Sequence, residues 1–485
     1  KSVFSLHGVP LAMDQRNSDK YAEFFNEIKF LKWYNMKKSK TLKLTEGNIQ
    51  KQIIAFMWPI LLSSLFQQFY NITNSMIVGN YISKTALSAV SATNAICNIF
   101  NFLFYGIGTG AGIVIATQFG AGDDAKIKKS IDTSILFSLV GGLILTVLSE
   151  FSLDFLLEIT NVNAELFPMA KSYLQIYFLG NTAVFMYQMC FFVFRSLGDS
   201  EHPLYFLILS STINLILGVI FVRICNLSVM GTALATIIAQ TVVDILCLRL
   251  LFKLDENIKF SFKNITFDAR TAYEFCALGI PAGIQNMMIA ISSMMVQSYI
   301  NAFPNEIIAG IGVAERVAVF AQSPMSAIST VTVTMVSQNM GAKKYERAQE
   351  AIHKSIAMSN IVTFICCLIM FITAPFWVSL FNKDPLVIES GSEMIRIMIF
   401  SFIPLGWSHV YHGAIRGSGN VKVPMIIAVM TQCVSRFLFV YFGLKIHYDV
   451  RILYASSAVG FTLAGIFASL YFKKSAWTKQ VGLRN

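Results

Sequence analysis

Charge is what this sequence has least of. Only 13% of its 485 residues are Asp, Glu, Lys or Arg, about half of the roughly 25% usual in a soluble chain. At the same time 55% of the residues are hydrophobic, including 41 Phe and 21 Met. A soluble globular domain has no core large enough to take that load, so this class is excluded and a polytopic membrane protein is implied. Catalytic vocabulary is missing as well. There is no CxxC pair and no HExxH, and the eight cysteines are scattered through apolar runs. They read as small buried side chains, not as disulfides or metal ligands. Gly108, Gly110 and Gly112 spell GxGxG, but no Rossmann unit follows. Their reading is a small-residue stripe that lets helices approach closely. No catalytic centre, metal, organic cofactor or nucleic-acid partner is expected. Residues 1–35 carry charges without the apolar run of a signal peptide behind them. They read as an extension, disordered or peripheral, with Met36 a plausible bacterial-style start.

What the chain does have is long apolar runs. A helix needs about 20 mostly apolar residues to cross a bilayer, and twelve segments qualify. They lie near 53–77, 85–118, 128–150, 167–194, 203–224, 230–252, 272–300, 307–339, 350–374, 388–413, 423–443 and 450–472. The flanks at one end of these spans carry 26 Lys and Arg, among them Lys126, Lys128, Lys129, Lys343, Lys344 and Arg347, against 5 at the other end. Cytoplasmic loops collect basic residues, so both termini are predicted to lie in the cytoplasm, with the protein in the inner (plasma) membrane.

The chain also repeats itself. Pro59 answers Pro281, Gln118 in IATQFGAGDD answers Gln338 in MVSQNMGAKK, and Arg195 in FRSLGDSEHP answers Arg416 in IRGSGNVKVP. The offsets are nearly equal and the order is kept. A six-span unit is duplicated, and the polar stretch between the copies reads as a linker. The expected architecture is all-α and membrane-integral: twelve transmembrane helices in two six-helix lobes. Residues 1–45 form the extension, 46–252 the N-lobe, 253–271 the linker, 272–475 the C-lobe and 476–485 a cytoplasmic tail. Transporters built this way hold their site between the two bundles.

Polar side chains within the spans mark where that site falls. Gln67, Asn71 and Asn74 in QQFYNITNSMIVG step by four and three and share one helix face. Asn181, Gln188, Asn214, Gln285, Gln322 and His409 join them, His409 answering Gln188 of the first copy. Two readings fit this set: the lining of a substrate cavity, or hydrogen bonds between helices with no substrate. His409 and His412 have no acid beside them and read as hydrogen-bonded cavity residues, not metal ligands. Arg195 and Arg416, beside glycine-rich turns, read as structural anchors that cap carbonyls or pair with the turns.

FYNITNSMIVGNYISKTALSAVSATN, GTGAGIVIATQFGAGD, FRSLGDSEHP and SQNMGAKKYERA, in that order, resemble the multidrug and toxic compound extrusion (MATE) family. The likeness covers residues 45 to 475 and is greatest to the branch typified by the bacterial DNA-damage-inducible exporter. It implies a V-shaped pair of lobes exporting small amphipathic or cationic compounds in exchange for inward H⁺ or Na⁺; a monomer is expected. Where that branch has N-x-x-D in its first helix this chain has Asn74, and where the fifth has N-x-x-x-D-P it has Asn214, Gly218 and Val219. An amide cannot take up and release a proton near neutral pH. Acids elsewhere must then supply the coupling. Glu315 lies on a polar stripe with Gln322, Ser326 and Ser329 and is the first candidate, with Asp244 in reserve. Glu393 and Arg396, at i and i+3, read as an ion pair. A flippase for lipid-linked saccharides or peptidoglycan precursors is the alternative within the same superfamily. That function calls for a basic cavity and usually two further spans.

Overall fold

The computed structural model describes residues 42–81, 84–160 and 162–474. The extension up to residue 41 and the tail from 475 lie outside the described residues. Throughout the described residues the secondary structure is helical, without strands. In chain order the first copy comprises α1 (Ile49–Tyr81), α2 (Lys84–Ala121), α3 (Asp124–Phe151), α4 (Leu153–Ile159), α5 (Phe167–Leu179), α6 (Asn181–Ser196), α7 (Glu201–Val219) and α8 (Ser228–Leu251). The second comprises α9 (Ala269–Ile300), α10 (Asn305–Gly341), α11 (Tyr345–Ser379), α12 (Pro385–Met398), α13 (Phe402–Gly417), α14 (Lys422–Ala428), α15 (Arg436–Ile446) and α16 (Val450–Lys474). Ten runs are long and apolar enough to cross a membrane by themselves, and α5 with α6, bent by 51°, make an eleventh. The twelfth is α12 with α13, the counterpart of that bent pair, joined by a short 3-10 turn at Ile399–Ser401. The fold is thus the expected one: twelve transmembrane helices in two duplicated sets of six.

Apolar side chains on the outside confirm the solvent. Leu143, Ile144, Val147 and Leu148 on α3 and Phe364, Ile365, Leu368 and Ile372 on α11 are all exposed. In water such stripes would be a liability; against lipid tails they cost nothing.

Glycine decides how the two halves meet. Helices in lipid gain nothing from hiding apolar surface, so they associate where small residues let backbones touch. Helix α2 crosses α9 at such a place. A Cβ on Gly106 would sit 2.6 Å from the Gly279 carbonyl oxygen, one on Gly279 would sit 2.5 Å from the Ile107 Cα, and one on Gly110 would collide with the Phe275 carbonyl. A second crossing joins α2 to α10, where Gly120 abuts the Gln338 carbonyl and Gly341 abuts that of Thr117. The GxGxG stripe therefore serves close approach on two sides, since Gly108 and Gly112 face the Phe192 ring on α6.

Gln338 fixes the same end of the bundle. Its Oε1 accepts from the Leu44 amide at 3.0 Å and its Nε2 donates to the Ser196 carbonyl at 2.9 Å. Its side chain is fully buried. The stretch between α8 and α9 lies at this basic end too, but it is pinned and not slack. Asp132 on α3, fully buried, accepts from the Thr266 amide (3.3 Å) and pairs with Lys128 (2.7 Å). Lys128 reaches on to the Asn264 carbonyl at 3.1 Å. Asp268 caps α9 through the Thr271 amide (3.2 Å) and pairs with Lys129 (3.1 Å). The Thr271 hydroxyl and the Lys129 ammonium hold its carboxyl below the usual range.

The expected Glu393–Arg396 pair is corrected. Glu393 accepts instead from the Arg451 Nε at 2.7 Å, across the gap from α12 to the start of α16. A partner on another helix offers an aligned N–H, whereas an i, i+3 pair on one helix must bend both side chains along the surface.

Gly110→Val should destabilise the fold by about 1–3 kcal/mol, the usual range for overpacking, read as a lower melting temperature of the purified protein in detergent. Gly312→Ala is the control, because a Cβ there meets nothing within 4 Å. Its melting temperature should be unchanged or slightly higher. Equal melting of both variants would contradict the crossing.

Candidate functional site

Two adjoining cavities open where the halves face each other. The larger, about 580 Å³, is walled mainly by α1, α2, α5, α6 and α8, with Ser326 and Thr330 of α10 closing it from the second half. The smaller, about 290 Å³, lies between α2 and α6 on one side and α9, α10 and α13 on the other. Tyr105, Arg195, Ser326 and Thr330 line both.

The amide face of α1 turns into the larger cavity. Gln67, Gln68 and Asn71 line it, with Gln67 Nε2 3.4 Å from Asn71 Oδ1. Asn74 belongs to the same helix, but its side chain lies outside the described residues. Opposite stands a second amide face that the sequence reading passed over: Asn94, Asn98 and Asn101 of α2, stepping by four and three. The same periodicity that singled out α1 would have found it. Gln188 and Gln240 also line this space, as do Tyr173, Tyr177 and Tyr187. Asn101 Nδ2 donates to the Tyr177 hydroxyl at 3.2 Å.

The smaller cavity gathers Gln285, Gln322 and His409 with His412, Ser408, Ser329 and Arg416. Ser329 donates to the His409 carbonyl at 2.6 Å, and Ser408 Oγ lies 3.3 Å from His412 Nδ1. Gln432 reaches this wall from a π-helical segment, Val429–Ser435. The wider turn there leaves the Gln432 carbonyl to accept from Ser292 at 3.1 Å, a deformation of the kind often found at functional sites.

Four expected site residues stand apart from these cavities. Asn181 is buried between α6 and α3, donating to Ser149 at 3.0 Å. Asn214 donates to Thr236 at 2.7 Å and lines a side groove of about 160 Å³ with Phe66, Phe69 and Tyr70. Glu315 lies two turns from Gln322 along α10 and faces Arg436, at 3.7 Å. Arg436 in turn approaches Ser456 and Ser293 at 3.4 Å each. Asp244 is also outside the lining. It is 5% exposed, its Oδ1 has no hydrogen-bond partner, and it sits one turn beyond the cavity residue Gln240.

The reading of Arg195 and Arg416 as anchors is corrected. Among the described residues neither caps a carbonyl nor pairs with a glycine-rich turn; both line the smaller cavity. Arg195 is 7% exposed, and its guanidinium carbon lies 3.8 Å from the centroid of the Phe191 ring. Arg416 donates to Gln285 Oε1 at 2.6 Å. The Nε of each is buried without a partner. Among the described residues no Asp or Glu lines either cavity. A ring face returns about 0.5–2 kcal/mol to a cation, whereas taking an ion out of water costs several. Phe191 therefore does not offset the burial of Arg195 alone. Their matching place in the two copies was the signal for these arginines, but the nearby turns suggested a structural use.

Comparison with known proteins agrees with this geometry. A family model described as MatE matches the chain twice, over residues 59–220 and 281–442. The probable multidrug resistance protein YoeA of Bacillus subtilis (strain 168) is 24% identical over 397 residues, 80% of this chain and 86% of that protein. The probable multidrug resistance protein YpnP of the same organism is 25% identical over 401 residues, covering 82% and 89% respectively. A solved structure of a multidrug resistance MATE family transporter of the MOP superfamily, in an outward-facing conformation, superposes with a TM-score of 0.84. It is 19% identical, covering 91% of this chain and 100% of that one.

In a background without native cysteines, single cysteines at Gln188 and Ser326 should react with a small water-soluble thiol reagent, and one at Asn181 should react at least tenfold more slowly. Equal rates at all three would show that the wall is misassigned.

Proposed function

The chain belongs to the MatE family of transporters, and from that premise we propose that it is a secondary exporter of small amphipathic molecules, driven by inward H⁺ or Na⁺. The observation that carries this reading is the pair of polar cavities walled by both copies of the repeat. A polar surface of that size facing lipid would be costly, and between two rigid bundles it can hold cargo. The relatives YoeA and YpnP, named as probable multidrug resistance proteins, support export as the direction. The two bundles rock about the glycine crossings and expose the cavities first to one side and then to the other.

The basic end, with Lys128, Lys129, Lys344 and Arg347, faces the cytoplasm of a cell whose plasma (inner) membrane holds the protein. Coupling falls to the carboxyl groups within the spans. Glu315 is the first of these. Its contact with Arg436 bridges α10 and α15, so binding an ion at Glu315 releases Arg436 and changes how the two helices pair. Asp244 is the second, placed one turn behind the wall of the larger cavity. A flippase for lipid-linked anions is a second reading, favoured only by the two cavity arginines that have no carboxylate partner.

Two measurements test this proposal. In vesicles loaded in parallel with ethidium or fluorescein, imposed H⁺ and Na⁺ gradients should drive efflux of at least one dye. Glu315→Gln should slow that driven efflux at least tenfold while cargo binding stays intact, and Asp244→Asn should retain most of it. Driven efflux at the normal rate in Glu315→Gln removes this residue from the coupling. For orientation, cysteines placed at Asn226 and Asn305 in a cysteine-free background should take up an impermeant thiol label from outside intact cells, and one at Asn264 should not. The opposite pattern inverts the assignment.

A further inference from the structure

The charge of the cavity wall runs against a cationic cargo. Cations are held by carboxylates or by aromatic faces left free for them. Here no carboxylate lines either space among the described residues. One of the aromatic faces at the wall, that of Phe191, is already covered by Arg195. Two guanidiniums, one from each copy of the repeat, line the smaller cavity. The acid nearest to Arg195 in sequence, Asp199, is engaged with His202 at 2.6 Å. Glu315 pairs with Arg436, and Arg416 has a neutral amide, Gln285, as its partner. An anion is the ligand that completes such a site, because each planar guanidinium offers paired N–H groups to a carboxylate, sulfonate or phosphate.

We infer that the paired arginines Arg195 and Arg416 form an anion-binding site, and that the exported cargo is an amphipathic organic anion. This rests on the exporter reading and specifies its substrate class. The acidic group of the cargo sits between the arginines in the smaller cavity. Its apolar or aromatic body extends past Tyr105, which lines both spaces, into the larger one, where Tyr177 and Tyr187 flank amide side chains. The Ser326 hydroxyl, shared by both cavities, supplies a neutral donor along the way, while the Thr330 hydroxyl donates to the Ser326 carbonyl at 3.0 Å. The arrangement also rejects cations, since a positive group entering the smaller cavity meets two like charges and no counter-charge. A soluble anion and the anionic head of a lipid share this chemistry.

Fluorescein and rhodamine 6G carry the same xanthene core with opposite charge, and their fluorescence polarisation reads binding to the purified protein directly, independent of transport. Fluorescein should bind at least tenfold more tightly than rhodamine 6G. Arg195→Gln and Arg416→Gln should each weaken fluorescein binding at least tenfold, as expected for loss of a hydrogen bond to a charged group. Arg195→Lys and Arg416→Lys, which keep the charge, should recover part of it. Should the glutamine variants fail to fold, Ser326→Glu serves instead. It adds a carboxylate at an exposed position of the wall and should cost fluorescein binding at least tenfold while rhodamine 6G binding improves. Competition by dodecyl phosphate against competition by benzoate separates a lipid-like anion from a soluble one. Tighter binding of rhodamine 6G, fluorescein binding indifferent to Arg195, Arg416 and Ser326, or no binding of either dye overturns the inference. The exporter reading fails separately: fluorescein would bind in an arginine-dependent way but no dye would move under either gradient.

Discussion

Backbone contact between the halves is the constraint on which the remainder depends. In lipid, apolar surface gives helices no reason to associate, so this molecule joins its two bundles by removing side chains where α2 meets α9 and α10. Gly106 and Gly110 on one half face Gly279 and Gly283 on the other, and at the second crossing Gly120 and Gly341 meet the Gln338 and Thr117 backbones. Contact that close leaves no room for polar side chains, and they are displaced to either side of the crossing. There they meet across open space, as the two cavities. The stripe of small residues and the stripes of amides are thus two consequences of one geometry.

The same geometry gives the cavities a charge. Duplication places one arginine from each copy beside the crossing, at Arg195 and Arg416, and neither finds a carboxylate. Acids within the spans lie outside the lining of both cavities, among them Glu315 with Arg436 and Asp244 behind Gln240. The function proposed above thus has cargo and coupling separated in space. On that reading the cavity binds through guanidinium, amide and tyrosyl groups, and the carboxyls act from outside its lining through the helices they share with it: α10 carries both Glu315 and Gln322, and α8 carries both Asp244 and Gln240. Coupling of the proposed kind travels as a change in helix position rather than as competition for one group.

Much of the fold was legible in the sequence, for identifiable reasons. Span positions follow from the scarcity of charge, and the described helices match the apolar runs within a few residues. Duplication was visible because the two copies kept Gln118 and Gln338, or Arg195 and Arg416, in step. The cavity-facing side of α1 followed from helical spacing alone. What the sequence did not disclose depends on partners distant in the chain. Glu393 could not be assigned to Arg451, 58 residues on, without knowing that α12 packs beside α16. The arginines were read as anchors because a glycine-rich turn follows each of them, and only the assembled bundle shows that the side chains point back into the cavity. Asn94, Asn98 and Asn101 were a missed application of a rule already in use.

The central claim is that two rigid halves move about the glycine crossings and so carry cargo through the space between them. Distance measurement between spin labels at Lys126 and Lys422, exposed at the basic end of the first and second half, tests it most directly in protein reconstituted into lipid discs. The account predicts two distance populations whose ratio shifts when fluorescein or the coupling ion is added, with the longer distance belonging to the state open at the basic end. A single distance, unchanged by ligand, pH or Na⁺ in protein that still transports, would contradict it.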